Sequence, residues 1–248
     1  MGLGVDRGVL QLAVQGRLSA VSCLVKGASW PHQCGALKEL EFLDIGLHFS
    51  LDPPFFRVFW NSLRGRLDRA RVEGELERQW DELARQLGRE PDFLDSHQHI
   101  HQLPGLSSLV LDWLQRHPGC YCRHSAADGL PRGPGAIETL KLWSLALIGR
   151  HFRHRLRLRR LPAPPEMVGA ELFHGGEEQV WKAYHHHLSR LRPGALWVVH
   201  PGLPPWPEDG YRQGREWEYR VLSSRAFGHL LQQHGFRPSR FRECGECG

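Results

Sequence analysis

Long apolar runs are missing from this chain. The best stretch, LWSLALIG (142–149), falls far short of the roughly 20 residues that a membrane-spanning helix needs. The first residues, MGLGVDRGVLQL, lack a basic region followed by an apolar one, so no secretory signal is expected. Met1-Gly2 resembles a myristoylation start, but Asp6 stands where Ser or Thr is wanted. The expected compartment is the cytoplasm. Cysteine is sparse as well. Six in 248 residues make no disulfide framework, and the CxxC of Cys244 and Cys247 has no second pair nearby to complete a zinc site. Internal repeats, low-complexity segments and linker-like stretches are also absent, so residues 1–248 read as one domain with chain enough for a substantial core.

Charge of one sign is barely in excess: 32 Lys and Arg against 27 Asp and Glu leave +5. Much of that excess sits in RHFRHRLRLRR (150–160), which makes it a patch rather than a field over the whole surface. Such a patch suits a solvated helix face, or peripheral contact with anionic lipid. Nucleic acid is not expected, because no aromatic interleaving or recognisable binding module accompanies the arginines.

What is present is an alternation of strand-like and helical segments. Apolar residues are spaced helically over 5–17, and 18–27 and 42–51 read as strands. In 66–88, Val72, Leu76, Trp80, Leu83 and Leu87 recur at intervals of three and four, and Gly88 supplies a stop. Helices are expected at 107–117, 137–160, 176–191 and 223–235, with strands at 119–125 and 195–202, the latter buried and carrying Trp197. Strand and helix in turn point to an α/β fold with a parallel sheet.

The chain has sixteen histidines, and several fall where such folds place ligands, at strand ends. GLH closes the strand at 42–48, DSHQHIH (95–101) follows 91–94, and HPG (200–202) ends 195–200. Drawn out as a strand, 95–101 would put Asp95, His97, His99 and His101 on one face. Neutral imidazole offers a metal a lone pair and can also move protons.

GLHFSL (46–51), the long segment 75–105 ending in DSHQHIHQLPG, Arg123 after a short strand, and VVHPG (198–202) followed by Tyr211 and Arg215-x-x-Glu218 resemble the YdjC-like carbohydrate deacetylases. Diacetylchitooligosaccharide deacetylases and hopanoid-cluster members belong to that family. The resemblance runs over nearly the whole chain. It implies a distorted (β/α) barrel of parallel strands, of the NodB-like deacetylase type, and hydrolysis of an N-acetyl group from a chitooligosaccharide-like or lipid-linked amino sugar.

It also implies a divalent metal, Mg2+ or Zn2+, with His48 and His97 as ligands and His200 as acid for the leaving amine. A bound metal polarises the acetyl carbonyl and acidifies water. Asp95 is expected behind a ligand imidazole, and His99 and His101 either packed beside it or reaching substrate. Arg123 would hold a sugar or tie down a carboxylate, and Trp206 would stack on a sugar ring or anchor its loop. The three histidines at 185–187 suit a helix C-terminus.

In two places the chain departs from the family pattern. Family members open on a strand ending in a NADDFG-like motif whose aspartates serve as ligand and base. Aligned on that pattern, Met1 falls just after it, so a missing first strand is expected. The natural protein then carries that strand upstream, or this chain is a weakly active remnant that binds a sugar or a partner. Second, 52–66 reads as a short loop where the family has a longer one. Oligomeric state, a homodimer included, is left open.

Overall fold

The computed structural model describes residues 2–52, 54–126, 136–169, 173–205 and 210–244. Its order is α1 (Leu3–Val14), β1 (Ala20–Cys23), α2 (Trp30–Lys38), β2 (Asp44–Phe49), α3 (Phe55–Leu63), α4 (Arg69–Leu87), β3 (Phe93–Ser96), a 3-10 segment (His97–Gln102), α5 (Leu106–Arg116), β4 (Tyr121–Cys122), α6 (Ala136–Leu158), β5 (Met167–Gly169), α7 (Glu177–Leu188), β6 (Leu196–Val198), α8 (Arg212–Ser223) and α9 (Arg225–Gln233). Among the described residues every strand pairing is parallel, in two sheets of order β1-β2-β3-β4 and β5-β6. Helices cover the outer faces, which is the expected α/β arrangement. Among the described residues no helix is long and apolar enough to cross a membrane.

The alternation within β2 sorts its residues. Ile45, Leu47 and Phe49 join a core shared with Leu76, Trp80 and Leu83 of α4 and with Val110, Leu111 and Trp113 of α5. Asp44, Gly46 and His48 take the opposite face. A Cβ on Gly46 would lie 2.3 Å from the Phe93 ring, its partner in register on β3. Glycine is therefore what lets that ring lie flat across the strand. Phe93 stacks on Tyr121 at 5.0 Å, and Tyr121 on Phe241 at 4.2 Å. Arg240 beside them reaches Asp44 at 2.8 Å and Asp92 at 3.3 Å. The amino ends of the strands are thus plugged, and chemistry is left to the carboxyl ends.

A second core gathers Leu12, Val180, Tyr184, Val221 and Phe227 from α1, α7, α8 and α9. The backbone at Gly202–Leu203 lies hard against α1, where Leu203 N–H donates to the Gly4 carbonyl at 3.0 Å. A Cβ at Gly4 would sit 1.7 Å from the Leu203 oxygen. That close approach fixes the loop carrying His200.

Three expectations need correction, and three elements were not foreseen. Residues 52–66 hold a helix, α3, because Pro54 precedes a run whose Val58 and Ser62 turn inward. The segment β6 is half-buried rather than buried. The elements α2, β5 and α8 had no expectation at all. Finally, 95–101 is not one extended run: β3 stops at Ser96, and Gln98 and His99 take left-handed backbone angles, φ 52° and 57°. The Ser96 hydroxyl explains the turn. It accepts the His101 N–H at 3.1 Å and contacts His101 Nδ1 at 2.5 Å, folding the chain back on itself.

Candidate active site

Register brings the first pair together. His48 on β2 is the in-register neighbour of Asp95 on β3, and His48 Nδ1 lies 2.7 Å from Asp95 Oδ1. Ser22 of β1 donates to the same oxygen at 2.5 Å. On the other side, Arg123 Nη1 pairs with Asp95 Oδ2 at 3.1 Å, and its Nη2 donates to the Ser96 carbonyl at 3.1 Å. Both Asp95 and Arg123 are buried. Burial alone would raise the Asp95 pKa. Arg123 and His48, with hydrogen bonds from His48 and Ser22, outweigh it and hold the carboxyl well below its usual range.

Asp95 is thus the hub of the site. With Nδ1–H given to Asp95, His48 presents a free Nε2. His97, exposed at the first position after β3, sets its ring 5.7 Å from that of His48, edge to face. Although the residue is exposed, partial desolvation of its ring, with the neighbouring His48, lowers the His97 pKa.

The turn breaks the alternation for the other two histidines of the segment. His101 is fully buried, gives Nε2–H to the Arg123 carbonyl at 2.8 Å and meets the Phe152 ring edge-on. It ties the turn to the end of β4. Burial pushes its pKa down to about 3. His99 is half-buried, its Nδ1 3.3 Å from Gln102 Nε2. Arg123 spends its guanidinium on Asp95 and the Ser96 carbonyl, although its Nε is buried with no hydrogen-bond partner.

His200 enters from the second sheet, two residues past β6. Its backbone N–H donates to Glu218 Oε2 at 2.7 Å, and its carbonyl accepts from Arg215 Nη1 at 3.2 Å. Glu218 is itself buried and also accepts from Tyr184 at 2.8 Å. Burial first, then Arg215, Arg123 and His48, push the His200 pKa down to about 4. Its Nδ1 is buried without a hydrogen-bond partner. Arg123 and His48, from the first sheet's carboxyl ends, thus lie near enough to His200 to disfavour its charged form.

Sequence reasoning missed Ser22, which carries no signal beyond its place in a strand. Arg215 and Glu218 were visible as a motif but had no role until the loop was seen. Trp206 and Cys247 lie outside the described residues. In 150–160 several arginines are engaged: Arg153 with the Pro165 carbonyl, Arg155 with Ser107, and Arg159 with Asp112 and Gln115.

As to a metal, His48 and His97 offer two imidazole nitrogens, a donor set that suits zinc better than magnesium. Among the described residues no group of three His, Cys, Asp or Glu side chains could hold an ion. The described residues therefore fit part of a metal site.

The YdjC-like protein family matches residues 1–233. A chitooligosaccharide deacetylase of Salmonella dublin is 26% identical over 254 residues, covering 96% of this chain and 92% of that protein. The human carbohydrate deacetylase is 28% identical, over 83% of this chain and 72% of its own length. The match to the Enterobacter chitooligosaccharide deacetylase, 26% identical, takes in 46% of this chain and spans only about half of that relative, 51%. A solved structure from Enterococcus faecalis V583, described as a cellobiose-phosphate cleavage protein, superimposes with TM-score 0.66 at 15% identity, over 98% of this chain and 94% of that one.

Proposed function

Because the chain belongs to the YdjC-like family, we propose that it hydrolyses the N-acetyl group of an amino sugar. The observation that carries this reading is the pair of imidazoles, His48 and His97, at 5.7 Å with Asp95 behind one of them.

A divalent ion on these two nitrogens would polarise the acetyl carbonyl and acidify a water. Asp95 keeps the His48 tautomer that turns Nε2 outward, and Arg123 keeps Asp95 charged. His200 starts neutral, since its pKa is lowered to about 4. It can protonate a leaving amine only after taking up a proton itself, so it serves as acceptor first and donor second.

Acetate release from N-acetylglucosamine oligomers tests the reading. His48→Ala and His97→Ala should each lose activity at least a hundredfold and lose bound zinc together. Equal acetate release by the parent chain and both variants would remove the proposal.

One observation favours a second reading, a chain that binds an N-acetylated sugar without cleaving it: no third ligand joins His48 and His97 among the described residues. Calorimetric sugar binding without acetate release, in a sample free of metal, would decide for it.

A further inference from the structure

Beyond the site, the largest unexplained feature is apolar surface on α3 and on the first half of α6. Phe55, Phe56, Trp60 and Leu63 are exposed on α3, and Leu140, Trp143 and Leu147 on α6, with Phe56 at 69% and Leu147 at 67%. The α3 rings form a preset cluster. Phe55 stacks on Phe59 at 5.9 Å, while Phe56 and Phe59 each meet Trp60 edge-on at 5.7 Å.

Topology puts both helices at the mouth. Helices that follow strands begin at the carboxyl ends of the sheet. The helix α3 follows β2, which ends one residue past His48, and α6 is the first helix after β4. Both pack on the 97–102 segment that carries His97 and His99, and Ser62 of α3 donates to the Pro104 carbonyl just beyond it.

Charge selects the occupant. Arg57, Arg64 and Arg66 are exposed within or just after α3, Arg64 lying 5.3 Å over the Trp60 ring. No acidic residue occurs from 53 to 67. A sugar platform would need carboxylates or amides beside its rings to meet hydroxyls, and this segment offers only Asn61, half-buried. Leucines, phenylalanines and a tryptophan interleaved with arginines are instead the composition of a helix that lies in a lipid–water interface.

We propose that α3 and the first half of α6 dock this protein, mouth downward, on an anionic membrane surface. The inference goes beyond deacetylation and does not depend on it. With no membrane-crossing helix among the described residues, attachment is peripheral and reversible.

Flotation of the whole chain with phosphatidylcholine vesicles, with and without phosphatidylglycerol, tests this. Binding is expected only to the anionic vesicles, weakened by salt. Phe56→Ser with Trp60→Ser should lower the partition on the order of tenfold or more, and Arg57→Glu with Arg64→Glu should abolish it. Unchanged circular dichroism and melting would show that these surface variants remain folded. Binding to neither vesicle, or binding that both variants retain, would overturn the proposal. So would loss of chitooligosaccharide affinity in the variants (a sugar platform), or conversion of an oligomer to a monomer by them (a protein interface).

Discussion

Replacing Asp95 by asparagine is the sharpest test of the site's architecture. Three donors converge on this carboxylate: Ser22 at 2.5 Å and His48 at 2.7 Å on Oδ1, and Arg123 at 3.1 Å on Oδ2. An amide has one oxygen. If that oxygen keeps Ser22 and His48, its NH2 faces the Arg123 guanidinium, donor against donor. If it flips, His48 loses its acceptor.

Either way a buried guanidinium is left without a counter-charge. Losing one partner of a buried pair costs about 3–5 kcal/mol. In a domain of this size each kcal/mol moves the melting point by about 2–4 °C, so Asp95→Asn should melt roughly 6–20 °C lower in scanning calorimetry. Removing both charges, Asp95→Asn with Arg123→Met, should recover much of the loss, because a buried ion pair and an apolar replacement are often close in stability. A fall below about 2 °C, or a double variant no better than the single one, would refute this account of the hub.

The core of β2 and β3 makes a separate prediction. Gly46→Ala should cost about 1–3 kcal/mol through overpacking, since Phe93 is wedged between the strand and Tyr121. Phe93→Leu in the same chain should restore part of it, read by urea unfolding. Acid should destabilise the fold through histidines that are buried neutral. The folded pKa of His101 is depressed to about 3, so its contribution is full above the unfolded value near 6.5 and is lost as pH falls from there towards 3. The slope approaches about 1.4 kcal/mol per pH unit. His124, depressed to about 4, acts in the same direction. His101→Gln should therefore flatten the stability-versus-pH curve below 6, and an unchanged slope would contradict it. At the end of α4, Gly88 stands at φ 71°. Gly88→Ala should cost about 1 kcal/mol, seen as a small drop in the urea midpoint.

How far the sequence reached depended on what decides each element. Periodicity decides α4: Val72, Leu76, Trp80, Leu83 and Leu87 are all buried, as their spacing requires. It also placed β2 and the strand ends that carry His48 and His200. It failed at 97–101, where alternation suggested a strand. There a single side chain, the Ser96 hydroxyl, captures the backbone N–H and ring of His101 and overrides the local pattern. The reading of 52–66 as a short loop failed too, since 55–63 is a helix with exposed rings. The charge hub could not be read from the chain either, because Ser22, Asp95 and Arg123 meet only through the lateral order of β1 to β4. Such order is a tertiary fact.

Arg240 lies 196 residues beyond Asp44 and 148 beyond Asp92, yet it bonds to both and to the Glu41 carbonyl. A nascent chain emerging from the ribosome would carry the buried Asp44 without its arginine until almost all of it had been made, whereas the half-buried Asp92 has Arg89 at 2.8 Å from the start. Early strands can collect, but their charged floor stays open until the late arginine arrives. The finished fold is thereby laced from its far end, and a break shortly before residue 240 would loosen the first strands rather than the last helix.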